Sequence, residues 1–124
     1  MIKALVVDDS KVVRMILSRT LRELGCEVRE AGNGREALAV LAAEPTDVSL
    51  VLADWNMPEM NGLDLLKSLR QNPANVAMKV VMVTTETEVD QMVTALEAGA
   101  NEYVMKPFTK DILLDKLLLA GVSF

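Results

Sequence analysis

With 124 residues, 51% hydrophobic and 25% charged, the chain makes one globular domain with a proper core and is too short for two. Thirteen Lys and Arg against eighteen Asp and Glu leave a formal charge of −5, and without a basic run that balance argues against nucleic acid or an anionic membrane as partner. Histidine is absent and Cys26 is the single cysteine, which excludes imidazole bases, Ser-His and Cys-His catalysis, most zinc sites and an internal disulfide.

Residues 2–7 read as a core strand ending at Asp8-Asp9-Ser10. From Lys11 the period becomes helical, with Val13, Leu17, Leu21 and Leu24 expected inward and Arg14, Ser18 and Arg22 opposite, until Gly25 stops the helix. Cys26 has apolar neighbours and is expected to be a buried, inert thiol. Residues 27–31 form a more polar strand, expected at an edge. Asn33-Gly34 then turns the chain into a helix with Ala37, Leu38 and Leu41 inward.

Residues 48–53 are an unbroken apolar run, the pattern of a strand buried on both faces. The run stops at Asp54, and Pro58 forbids both further pairing and an immediate helix. A loop over 57–62 leads to a helix marked by Leu63, Leu65, Leu66 and Leu69, ending before Pro73. Residues 80–84 are a second central strand. A helix from about Glu88 follows, with Val89, Met92, Val93 and Leu96 expected inward and Gly99 as its cap. Residues 102–105 form the last strand. Lys106-Pro107 ends it, and Thr109 caps a final helix carrying Ile112, Leu113, Leu117 and Leu118. Five strands alternating with five helices over short loops predict an α/β fold, a parallel sheet with helices on both faces. No repeat or linker divides residues 1–124, no run spans a bilayer and no signal-peptide pattern opens the chain, so a cytoplasmic protein is expected.

In a parallel sheet, Asp8, Asp9, Asp54, Thr84 and Lys106 all fall at the carboxyl edge, where open α/β sheets bind ligands. Taken singly each has an ordinary explanation: an acidic pair caps a helix, a strand threonine packs, a lysine is solvated. Together they describe chemistry. Crowded carboxylates repel unless a cation intervenes, and hard oxygen donors favour Mg²⁺, with Mn²⁺ as a substitute. A metal-held Asp54 could attack a phosphoryl group in line, with Lys106 neutralising the equatorial oxygens and Thr84 donating a hydrogen bond. Nothing in the chain reads a nucleotide base.

The motifs Val6-Val7-Asp8-Asp9-Ser10, Asp54-Trp55-Asn56-Met57-Pro58 with Gly62, Val83-Thr84, Gly99-Ala100 and Lys106-Pro107-Phe108 resemble the receiver domain of two-component response regulators, over residues 2–118. The resemblance implies the flavodoxin-like strand order 2-1-3-4-5. It implies Asp54 as phosphoacceptor for a histidine kinase, and Asp9, Asp54 and the backbone carbonyl of Asn56 as Mg²⁺ ligands, with Asp8 acting through a water. Lys106 contacts phosphate before a cis Pro107, and Thr84 and Tyr103 form a switch pair that reshapes a protein-binding face of Val89, Met92, Tyr103 and Met105. Within the family, Asp54-Trp55-Asn56 with Thr84, Glu86 and Tyr103 is most similar to CheY-type chemotaxis regulators, Asn56 and Glu86 flanking the water that removes phosphate.

Three departures stand out: Glu88, Val89 and Asp90 where flagellar-motor-binding members often carry lysines, Thr85 where Ala or Ser is common, and Asn61 for a frequent Asp. The resemblance further implies a monomer without an output domain that catalyses only its own phosphorylation and dephosphorylation. A phosphorelay intermediate or phosphate sink is the alternative within the family. Outside it, a haloacid-dehalogenase-type phosphatase would need a second Asp where Asn56 stands, and a flavin-binding domain would need a Ser/Thr/Gly-rich phosphate cradle where Asp8-Asp9 stands.

Overall fold

The computed structural model describes residues 2–43, 48–85 and 89–124, the side chain of Val89 excepted. Strands β1 (Lys3–Val7), β2 (Glu27–Ala31), β3 (Val48–Ala53), β4 (Lys79–Thr84) and β5 (Glu102–Met105) alternate with helices α1 (Lys11–Glu23), α2 (Gly34–Ala43), α3 (Gly62–Gln71), α4 (Val89–Glu97) and α5 (Lys110–Leu119). All strand pairs are parallel, and the sheet order is β2-β1-β3-β4-β5, as the motifs implied. The polar strand β2 is indeed at an edge.

Alternation along each strand divides the core in two. Leu5, Val7, Val51, Ala53, Val80 and Met82 face one way and pack with Leu65, Leu66 and Leu69 of α3, Ala37 of α2 and Ala95 of α4. Ala4, Val6, Leu50, Leu52, Val81, Val83 and Val104 face the other way and meet Leu17 and Leu21 of α1 and Leu113 and Leu117 of α5. A strand apolar at every position is what two covered faces require. Cys26 is buried in the second layer, and desolvation raises its thiol pKa, the signature of an inert cysteine.

Helix starts follow local capping chemistry. The side chains of Ser10, Asn61 and Thr109 accept from the backbone N–H groups of Val13, Asp64 and Ile112 at 3.3, 2.8 and 3.1 Å. Arg70 ties the far end of α3 to the start of β5. Its guanidinium donates to the carbonyls of Gly99 and Asn75 and to Oδ1 of Asn101, at 2.9, 2.8 and 2.9 Å.

The expected helix faces need correction at five positions. Val93 and Leu96 are 44% and 47% exposed, because the stripe of α4 that packs on the sheet side is Met92, Ala95 and Ala98, and the small Ala95 lets the helix sit close. Ile112 and Leu118 are 47% and 53% exposed: α5 is apolar almost all round, so the pattern could not choose a face, and Leu113, Leu117 and Ala120 take the inner one. Ser18 is fully buried beside Leu17 and Leu21, not on the outer face of α1. Its small volume fits where a helix lies tight on a sheet.

The Ser18 hydroxyl has no hydrogen-bond partner among the described residues. A buried hydroxyl left unpaired costs its desolvation, and alanine is the better helix former. Ser18→Ala is therefore expected to stabilise the protein by about 1 kcal/mol, read as a higher urea midpoint at unchanged slope. A lower midpoint would show that the hydroxyl is satisfied in solution.

Candidate functional site at the carboxyl edge of the sheet

Backbone pairing continues one residue past β1, β3 and β5 and so delivers the polar side chains. The Asp8 N–H donates to the Ala31 carbonyl, that of Asp54 to Val7, and that of Lys106 to Thr84, at 3.1, 2.9 and 2.9 Å. The sheet itself thus sets three side chains, far apart in sequence, side by side. Asp8, Asp54 and Thr84 are buried, at 1%, 8% and 0% exposure, whereas Asp9 is exposed.

Carboxylate oxygens of Asp8, Asp9 and Asp54 lie within 4.8 Å of one another. The Lys106 ammonium sits between two of them, 2.8 Å from Oδ2 of Asp8 and 3.6 Å from Oδ2 of Asp54. The other Asp8 oxygen accepts from the Ser10 N–H at 2.9 Å. One cation against three carboxylates leaves the notch strongly negative. Burial pushes the Asp54 carboxyl above the ordinary carboxylate range, Lys106 opposes that shift, Asp8 adds to it, and the backbone N–H groups of Asn56 and Trp55 oppose it again. The donor set is oxygen throughout, with neither imidazole nor thiolate, which fits a hard divalent cation such as Mg²⁺.

Gly62, the first residue of α3, backs directly on Asp54. A Cβ there would collide with the Asp54 carbonyl oxygen and lie 2.7 Å from Cε of Met82. The Gly62 N–H also donates to the Trp55 carbonyl at 2.9 Å, closing the loop that carries Asn56. Lys106-Pro107 is a cis peptide, as expected. Of the remaining expected site residues, Asn56 is exposed at the mouth, and Glu86 lies outside the described residues.

The expected protein-binding face is not a continuous exposed patch. Met105 is 45% exposed and Met92 half-buried, but Tyr103 is buried in the α3/α4 core layer, and the side chain of Val89 is outside the described residues. Tyr103 alternates inward with Met82 beside it in register, so in this state it is a core aromatic and not a surface one.

Two contributors escaped the sequence. Ser10 was seen only as part of a motif, yet it orients Asp8. Arg14 was assigned to the outer face of α1, but its guanidinium reaches back to donate to the Asp8 carbonyl at 2.6 Å. The available signal was its place early in a helix, since long helical side chains lean toward the N-terminus.

Residues 4–118 match the family of the response regulator receiver domain. The chain belongs to that family. Among curated relatives, it is 47% identical over 116 residues to the chemotaxis protein CheY1 of Helicobacter pylori, covering 93% of each chain. It is also 47% identical to the CheY homolog of Campylobacter jejuni, covering 93% of this chain and 88% of that one. Among solved structures, the chemotaxis response regulator CheY4 of Vibrio cholerae superposes with a TM-score of 0.87 at 36% identity, over 97% and 98% of the two chains. A CheY-like receiver domain from Methanospirillum hungatei gives 0.83 at 33% identity, over 95% and 91%. Receivers bind Mg²⁺ in an acidic pocket, and the Asp8, Asp9, Asp54 cluster occupies that place in this member of the family.

The raised Asp54 pKa has a signed consequence for a receiver kept in chelator. A folded-state pKa above the unfolded one gives stability that is present below the unfolded value and lost as pH rises through the folded value. At neutral pH the ionised, buried Asp54 therefore strains the metal-free fold. Asp54→Asn is expected to melt above the parent in EDTA at pH 7 to 8, with the gap shrinking as pH falls toward the ordinary carboxylate range. An Asp54→Asn protein melting below the parent at neutral pH would contradict this reading. Gly62→Ala, which overpacks against backbone, is expected to cost about 3 kcal/mol, measured by denaturant unfolding.

Proposed function

We propose that this receiver takes a phosphoryl group from a histidine kinase onto Asp54 and uses the charge change to control a protein partner, in chemotaxis. The observation that carries the proposal is the shared position of Lys106 between the buried carboxylates of Asp8 and Asp54. Family membership and 47% identity to a chemotaxis protein over 93% of the chain support the setting. A cytoplasmic location goes with that reading, and among the described residues no helix is long and apolar enough to cross a membrane.

Asp9, Asp54 and the backbone carbonyl of Asn56 would hold Mg²⁺, with Asp8 acting through a water. When bound, the ion supplies the positive charge that the notch lacks, for the carboxylates and for the incoming phosphoryl oxygens. An Asp54 oxygen attacks phosphorus in line, forming a P–O bond as the P–N bond to the donor imidazole breaks, and the electron pair leaves with that nitrogen. The ammonium of Lys106 is 3.6 Å from Asp54, close enough to follow the charge onto the phosphoryl oxygens. The Thr84 hydroxyl donates to one of those oxygens, which couples the phosphorylation state to β4.

Thr84 and the buried Tyr103 belong to neighbouring paired strands, so a shift of one alters the packing available to the other. The readout surface is then built around the exposed Met105 and the half-buried Met92, and a stable monomer suffices for it. Loss of the phosphoryl group needs water attack, with Asn56 and Glu86 flanking that water. The chain turns over no external substrate: Asn56 stands where a phosphatase of this chemistry would place its acid.

Acetyl phosphate labelling with Mg²⁺, followed by intact mass, tests the reading. One phosphoryl group per chain is expected, lost in Asp54→Asn and in EDTA and slowed about 100-fold in Lys106→Ala. Thr84→Ala is expected to label normally yet bind a phosphorylation-dependent partner equally with and without beryllofluoride. Label retained by Asp54→Asn, or steady turnover of a phosphate ester, would overturn the proposal.

A further inference from the structure

We infer that Arg14 is a positioning residue for divalent-ion binding: by gripping the main-chain carbonyl of Asp8 and the carboxylate of Glu30, it fixes the pose from which Asp8 and Asp9 present their side chains. The inference rests on the reading of the acidic notch as a metal site.

Asp8 is fixed on nearly every polar atom. Its N–H pairs with Ala31, one carboxylate oxygen accepts from the Ser10 N–H, and the other accepts from Lys106. The remaining acceptor is its carbonyl, and Nη1 of Arg14 takes it at 2.6 Å. That carbonyl belongs to the same peptide plane as the N–H of Asp9, so pinning it orients the turn from which the exposed Asp9 side chain departs.

Arg14 is itself anchored from β2. Its Nε lies 3.4 Å from Oε1 of Glu30, and the two side chains are 20% and 33% exposed. The guanidinium also packs against the turn after β2, where Nη1 is 3.6 Å from the point a Cβ on Gly32 would occupy. A planar fork can hold a carbonyl and a carboxylate at once, which a single ammonium does less well.

Two effects of opposite sign meet at this residue. Its positive charge beside the notch repels an incoming cation, although Glu30 offsets part of that. Its grip on the peptide plane prearranges two of the three carboxylates. If charge dominated, Arg14→Ala would bind metal more tightly. If the grip dominates, the same substitution weakens binding, and partners that orient metal ligands are typically worth 10- to 100-fold in affinity. The partly exposed, Glu30-paired guanidinium makes the charge effect the smaller one.

The experiment is a Mn²⁺ titration of the full chain followed by electron paramagnetic resonance of the free ion, with Mg²⁺ competition and no phosphodonor. Arg14→Ala is expected to bind about 10-fold more weakly than the parent, with Arg14→Lys between the two. Arg14→Ala binding as tightly as the parent, or more tightly, overturns the inference. A circular dichroism melt in EDTA shows whether Arg14→Ala is folded at the titration temperature; if it is not, Arg14→Lys decides, and parental affinity in that variant overturns the inference. A parent chain that binds no Mn²⁺ would instead sink the metal-site reading itself, an outcome separate from the role of Arg14.

Discussion

The structure depends on one unequal encounter: a single ammonium, Lys106, held against the buried carboxylates of Asp8 and Asp54, with Asp9 close by. Three acids and one base in a partly buried notch form a site that is electrostatically unfinished. In a structural ion pair the charges cancel and little more can happen. Here the imbalance makes the notch receptive to a divalent cation, and makes the local charge sensitive to what is attached to Asp54. Lys106 is the movable part of this arrangement, since it ends a long flexible stem while the carboxylates are fixed by backbone.

The fold holds this imbalance in place by spreading its cost over a large core. The strands that deliver charged residues are apolar and buried as they approach the site: Leu5, Val6 and Val7 before Asp8, Val51, Leu52 and Ala53 before Asp54, Val104 shortly before Lys106. Backbone pairing runs one residue beyond β1, β3 and β5, so the register of the ladder sets the spacing of the site directly. Gly62 completes the mount from behind, because only a residue without a Cβ lets α3 start against the Asp54 carbonyl. The spacing of the Lys106 and Asp54 backbones is therefore a property of the sheet, and only the lysine stem is left to adjust.

Much of this was legible in the sequence. Short apolar runs and period-3.6 patterns locate the five strands and five helices, and the polar residues at the ends of β1, β3, β4 and β5 place the site on one edge. The misreadings have distinct physical causes. Ile112 and Leu118 were misassigned because α5 offers leucines in every direction, so periodicity carries no information there. Val93 and Leu96 were taken for Ala95 because hydrophobicity ranks large residues above small ones, whereas close helix-to-sheet approach favours the small. Ser18 failed in the same way. Arg14 and Ser10 were invisible as site residues because their contacts are to the backbone of Asp8, and sequence patterns describe side chains.

The same geometry constrains how a signal could leave the site. Thr84 is fully buried and Tyr103 nearly so, with no slack in a packed layer that also holds Met82 and Ala95. Closely packed interiors do not deform continuously; they exchange one arrangement for another. A phosphoryl group on Asp54 acts on such a core only through differential contacts, stronger in one arrangement than in the other. The buried Thr84 hydroxyl is suited to provide that difference, since moving it toward an anion changes the space open to the neighbouring strand. The neighbouring strand carries Tyr103 and Met105 two residues apart and therefore on one face, the ring covered and the methionine 45% exposed, so a rearrangement of the ring would reach the surface within two residues of chain. A core aromatic beside an exposed methionine would thus carry a change of packing at the sheet edge to the surface without a ready-made exposed patch.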